Sequence, residues 1–239
     1  MNRALRSQYL AALGLESWRL RAGPAAGTSA LPQPALPPDA EPAVRPAPAP
    51  VAELGWAELR AAVAACTLCP LSATRTQTVF GVGSLEATWL IVGEAPGAEE
   101  DRQGEPFVGR AGQLLNAMLR AIGLEREQVF IANVLKCRPP RNRDPAPFEA
   151  AQCLPYLERQ IALLKPRIML AVGRISAQNL LKTDLSLGRL RGQVHHFGVS
   201  RVPLVVTYHP AYLLREPAEK RKAWEDLQFA REVYSGVQR

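Results

Sequence analysis

The chain has 239 residues, 47% of them hydrophobic, and a formal net charge of +7. That is enough for one sizeable α/β domain plus an extension. No stretch approaches the ~20 consecutive apolar residues of a membrane span, and the N-terminus lacks the apolar run and small-residue cleavage site of a secretory signal, so a cytoplasmic place, the nucleoid included, is expected.

Residues 1–22 read as a short amphipathic helix with Leu5, Tyr9, Leu10, Leu13 and Trp18 as its apolar members. Residues 23–50 hold nine of the 21 prolines. Proline removes backbone donors and forbids continuous helix, so this is an extended, disordered linker. A helix on such a tether suits recruitment of a protein partner; a dispensable extension is the competing explanation. The folded domain is expected over 51–239.

The segment WAELRAAVAAC predicts a helix running into Cys66. Four short apolar runs follow, at 87–93, 129–134, 167–173 and 203–208. They are rich in β-branched residues, as strands covered on both faces are. Helical patterns occupy 111–123, 147–164, 175–183 and roughly 217–234. The alternation predicts an α/β fold, with a four-stranded parallel sheet and right-handed crossovers. Ligands bind outside the carboxyl ends of such strands. The residues there are GEAPG (93–97), NVLKCRPP (133–140), Gly173-Arg174 and HPAYLLR (209–215), so the unusual polar groups gather at one edge of the sheet.

The four cysteines are Cys66, Cys69, Cys137 and Cys153. Cys66 and Cys69 form a C-x2-C pair, whose tight turn aims two thiolates at one centre. A single site using all four is the economical expectation; ordinary buried thiols are the alternative. Ligand count alone does not separate zinc from [4Fe–4S].

Glu94 lies in a glycine-bounded turn, where backbone N–H groups can approach a ligand. Phe107 lies in a loop before a helix, placed either to stack on a base or to plug the core. Asn133 ends the second strand and offers a donor and an acceptor together; on the residue alone, a strand-terminal turn asparagine is the favoured reading. His209 follows an apolar strand and precedes a proline, where an imidazole can donate to a developing oxyanion or serve a structural bond. His195 and His196 fall in a hairpin or loop and carry no role.

Together the stretches CTLCPL, GVGSLEATWLIVGEAPGAEEDRQGEPFVGRAGQLL, NVLKCRPPRNRDP and TYHPAYLLR resemble the family 4 uracil-DNA glycosylases, the iron–sulfur branch of that superfamily. The resemblance covers about residues 55–234. It implies a three-layer α/β/α domain and a monofunctional enzyme that removes uracil from single- or double-stranded DNA; a monomer is expected. Cys66, Cys69, Cys137 and Cys153 then fall on [4Fe–4S] ligands. Phe107 falls on the aromatic that stacks on the flipped uracil, and Asn133 on the amide that reads its edge. Glu94, Ala95 and Pro96 form the first pocket loop. His209 falls on the histidine that contacts uracil O2, and Asn142 on a polar residue that helps to place water. The aspartate that activates water in family 1 is missing from GEAPG, which leaves the general base open, with Glu94 a candidate. The basic run KCRPPRNR (136–143) is expected to meet phosphates. A noncatalytic DNA-binding module with a four-cysteine zinc site, and a glycosylase of wider base specificity, are the competing readings.

Overall fold

The structure is a computed structural model that describes residues 50–237. The expected helix over 1–22, and all of the expected linker except Pro50, lie outside the described residues.

Six strands form one sheet: β1 (Val82–Gly83), β2 (Trp89–Gly93), β3 (Phe130–Asn133), β4 (Ile168–Val172), β5 (His195–Phe197) and β6 (Val202–Thr207). Their order is β1-β3-β2-β4-β6-β5. The four central strands are the four expected ones, and all their pairings are parallel. Two short antiparallel strands, β1 and β5, extend the sheet at its edges. His195 and His196 lie on β5, hairpinned onto β6.

Eight α-helices lie among the described residues: α1 (Trp56–Ala65), α2 (Ala98–Gln103), α3 (Arg110–Ala121), α4 (Pro147–Leu164), α5 (Arg174–Leu181), α6 (Leu187–Leu190), α7 (Pro210–Arg215) and α8 (Lys220–Val237). Successive strand residues point to opposite faces, so each central strand feeds two cores. Leu90, Val92, Phe130, Ala132, Met169 and Ala171 pack with Leu59 and Val63 of α1, Leu157 and Ile161 of α4, and Ala177 and Leu180 of α5. Trp89, Ile91, Ile131, Leu170 and Val205 pack on the other side with Leu115 and Leu119 of α3 and Leu227 of α8. This is the three-layer α/β/α arrangement. It explains why the strands read as unbroken apolar runs: neither face meets water.

Helix α4 begins at Pro147, whose missing N–H costs nothing in the first turn, and Glu149 accepts from the Ala146 N–H at 2.8 Å. It ends at Lys165 in the left-handed region, φ 51°. Pro155 interrupts its bonding, but Ala151, whose carbonyl loses its partner, is on the exposed face. No helix of the described residues is long and apolar enough to cross a membrane.

In the central order β3-β2-β4-β6, the connection from β2 runs to β3 on one side, and the connection from β3 runs back to β4 on the other side of β2. The crevice outside the carboxyl end of β2 is therefore the topological switch point, where α/β sheets bind ligands.

Candidate active site and candidate metal centre

A cavity of about 410 Å³ opens at that switch point. Its wall takes Glu94, Ala95 and Pro96 from the loop after β2, Phe107 from the loop before α3, Asn133 from the end of β3, Asn142 from the segment after it, and His209 from after β6. Every pocket residue expected from the sequence is brought here.

Gly93 ends β2 beside Asn133 and Phe107. A Cβ there would collide with Asn133 Oδ1 and come within 2.7 Å of the Phe107 ring. The absence of a side chain lets the amide and the aromatic ring meet over one backbone atom. Asn133 is buried, 2% exposed, and its Oδ1 has no hydrogen-bond partner. A buried acceptor without a donor is costly, so such an atom marks a place for a ligand N–H.

Phe107 is buried and holds its backbone in the left-handed region at φ 54°. Its ring lies 5.6 Å from the His209 ring, tilted by 31°. His209 Nδ1 accepts from the Ala211 N–H at 3.1 Å, so a neutral ring carries its proton on Nε2. Burial first, and then the charge of Arg215, pushes the imidazole pKa down to about 4. At neutral pH the ring is an uncharged N–H donor. Glu94 moves the other way. Burial, then the nearby Asp144, raises its pKa to about 7 against the opposing pull of Arg174. Asn142 Oδ1 accepts from Arg138 Nε at 2.8 Å, which orients its amide at the cavity edge.

Glu100 joins the two pocket loops. Its Oε2 accepts from Gly97 N–H at 3.1 Å, and its Oε1 from Val108 and Gly109 N–H at 3.0 and 3.2 Å. This carboxylate also faces the N-terminus of α3, where negative charge is favoured.

The four cysteines line a second, separate pocket with Val63, Arg75 and Tyr156. Arg75 Nη1 donates to Cys137 Sγ at 3.1 Å, and the Lys136 N–H to Cys153 Sγ at 3.1 Å. Burial pushes both thiols up, Cys153 to about 11, and these donors pull the other way, towards the thiolate that binds metal. Among the described residues no three His, Cys, Asp or Glu side chains are grouped closely enough for a single metal ion. The four thiols share one pocket. The donor set fits an iron–sulfur cluster.

A family model described as the uracil DNA glycosylase superfamily matches residues 80–228. The chain belongs to this superfamily. It is similar to the type-4 uracil-DNA glycosylase of Pyrobaculum aerophilum, at 46% identity over 68% of this chain and 86% of the relative. It is similar to the type-4 enzyme of Archaeoglobus fulgidus at 44%, over 69% and 86%. The type-4 enzyme of Thermotoga maritima shares 42%, over 70% and 88%. The glycosylase resemblance drawn from the motifs thus holds at the level of type-4 relatives.

One expectation for this glycosylase fold is corrected. Lys136, read as part of a phosphate-binding run, is 1% exposed. Its Nζ donates to the Asn133 carbonyl at 2.9 Å and to Gln160 Oε1 at 2.6 Å. Burial pulls its pKa down to about 8. It braces the strand end that carries Asn133 and does not face DNA. Arg143 is exposed but held by Glu149 through two bonds of 2.8 and 2.6 Å. Arg141 is exposed, with φ 56°.

Sequence reading missed Glu100 and Arg126, the residues that fix the pocket loops. Glu100 carries one usable signal: it sits three residues after Gly97, the spacing of a capping box.

Proposed function

We propose that this chain is a monofunctional uracil-DNA glycosylase. It hydrolyses the N-glycosidic bond of uracil in DNA and leaves an abasic site, the first step of base-excision repair. The observation that carries the reading is the buried Asn133 Oδ1, which lacks a protein donor and lies beside the Phe107 ring.

The target nucleotide leaves the stack, because the cavity cannot reach a base inside a duplex. Phe107 stacks on the uracil face. Asn133 Oδ1 accepts from uracil N3–H, and its amide N–H donates to O4. Cytosine presents an acceptor at N3 and a donor at N4, so it would leave these groups unpaired. As the C1′–N1 bond breaks, its electron pair moves onto the uracil ring, and His209 Nε2–H donates to O2. Water attacks C1′ on the sugar. Asn142 orients it, and the Glu94 carboxylate takes its proton. The raised Glu94 pKa supports this role, since a general base works best near the operating pH. Ala95 and Pro96 shape the loop that seats the base.

We also propose that Cys66, Cys69, Cys137 and Cys153 hold a [4Fe–4S] cluster. When bound, it supplies a cross-link among the loop after α1, the segment after β3 and helix α4. Arg75 and the Lys136 N–H would donate to two of its ligands, Cys137 and Cys153. The exposed Arg141 beside this segment contacts phosphate. The enzyme acts as a monomer at the nucleoid, in the cytoplasm, and residues 1–22 recruit a protein partner.

The test is a labelled oligonucleotide with one uracil, incubated with the full chain and then treated with alkali. A break at the uracil, absent from a matched cytosine strand, is the expected result. Strands that stay intact, with the cluster loaded, would overturn the reading.

A further inference from the structure

Phe107 is a bulky residue in the left-handed backbone region, φ 54°, a conformation that a residue with a Cβ rarely adopts. It persists only if its surroundings hold it there. The holding groups are visible. Arg126 lies in the 3-10 turn before β3, nineteen residues further along the chain. Its Nη2 donates to the Pro106 carbonyl at 2.6 Å. Its Nη1 donates to the Phe107 carbonyl at 3.3 Å and to Asn116 Oδ1 on α3 at 3.2 Å. One planar guanidinium thus grips two consecutive peptide units and ties them to α3. Gly112 closes the other side, for a Cβ there would overlap the Phe107 carbonyl oxygen. The next two amides, Val108 and Gly109, are held by Glu100.

Arg126 is half-buried and does not line the cavity. Its guanidinium is engaged by these three protein acceptors. We infer that Arg126 is a positioning residue for base capture: its fork fixes the Pro106–Phe107 backbone and so sets the plane on which the flipped uracil stacks. The inference rests on Phe107 being the stacking surface. A lysine cannot replace the fork, since one ammonium does not span two carbonyls and an amide oxygen in the same plane.

The experiment is single-turnover excision by the full chain across a range of enzyme concentrations. It separates half-saturation from the maximal rate. Arg126→Lys and Arg126→Gln should raise half-saturation roughly tenfold, the scale of one lost charge-assisted hydrogen bond, with the maximal rate changed less than about twofold. In a Phe107→Ala background the same substitutions should add almost nothing, because residues that act through one another are not additive. Arg126→Lys with wild-type half-saturation, beside a Phe107→Ala enzyme that has lost capture, would overturn the positioning role alone. So would an equal penalty with and without the Phe107 ring, which marks a general structural role. Unchanged half-saturation in Phe107→Ala would take down the stacking reading and this inference together.

Discussion

Replacing His209 with alanine removes one hydrogen-bond donor at the place where charge develops. The Ala211 N–H occupies Nδ1 at 3.1 Å, so the proton lies on Nε2. A pKa of about 4 leaves only about one ring in a thousand protonated at pH 7. The donor is therefore neutral and fixed before the reaction begins. Removing one such donor costs about 10²–10³ in rate, or ~2.7–4 kcal/mol of transition-state stabilisation. Binding should change little, because uracil O2 gains its charge only as the bond breaks. The same ring also caps α7, so His209→Ala should lose about 1 kcal/mol of stability. His209→Asn separates the two effects: an amide oxygen can accept from Ala211 and restore the cap, yet excision should stay slow. The assay is single-turnover excision beside gel shift and thermal melting. In pH terms, the depressed pKa gives stability that is present above the ordinary value of 6.5 and is lost as pH falls towards 4. If His209→Ala cleaves at the wild-type single-turnover rate, the leaving-group argument is wrong and the histidine is structural.

Other outcomes follow from the same geometry. The maximal rate should rise with pH through about 7 as Glu94 loses its proton, and Glu94→Gln should abolish that inflection; a profile unchanged in Glu94→Gln would remove it as the base. Asp144→Asn should move the inflection to lower pH, because Asp144 raises the Glu94 pKa while Arg174, freed from its 2.9 Å pair, lowers it. Cys137→Ser should lose iron, absorbance near ~400 nm and thermal stability together; unchanged iron content and melting would sink the ligand assignment. A chain beginning at Val51 should excise uracil from naked DNA nearly as well as the full chain, and a collapse with the cluster intact would make residues 1–50 part of the site.

The central sheet was legible because each of its strands is buried on both faces, so Leu90-Ile91-Val92 and Leu204-Val205-Val206 read as unbroken apolar runs. The edge strands were not. Val82–Gly83 and His195–Phe197 are two and three residues long and only partly buried, too short for a period-2 pattern. Helix α2, of sequence AEEDRQ, was also hidden, for it carries no apolar stripe. In the site, residues at strand ends could be found, because position after a strand is a sequence property. The Glu100 and Arg126 bonds to the loop of Phe107 could not, since they join residues eight to twenty positions apart. Lys136 misled for a related reason. Its charge suggests surface, while its neighbours Leu135 and Cys137 are buried. Only the tertiary partners Asn133 and Gln160 make a buried ammonium tolerable.

The most direct measurement is chemical identification of the released product. The purified full chain is incubated with uracil-containing DNA, and the small-molecule fraction is resolved by mass spectrometry. Free uracil should appear in step with abasic sites in the strand, with no base released from matched cytosine or thymine DNA. A uracil nucleotide as the product, or no free base from a cluster-loaded enzyme, would contradict the account.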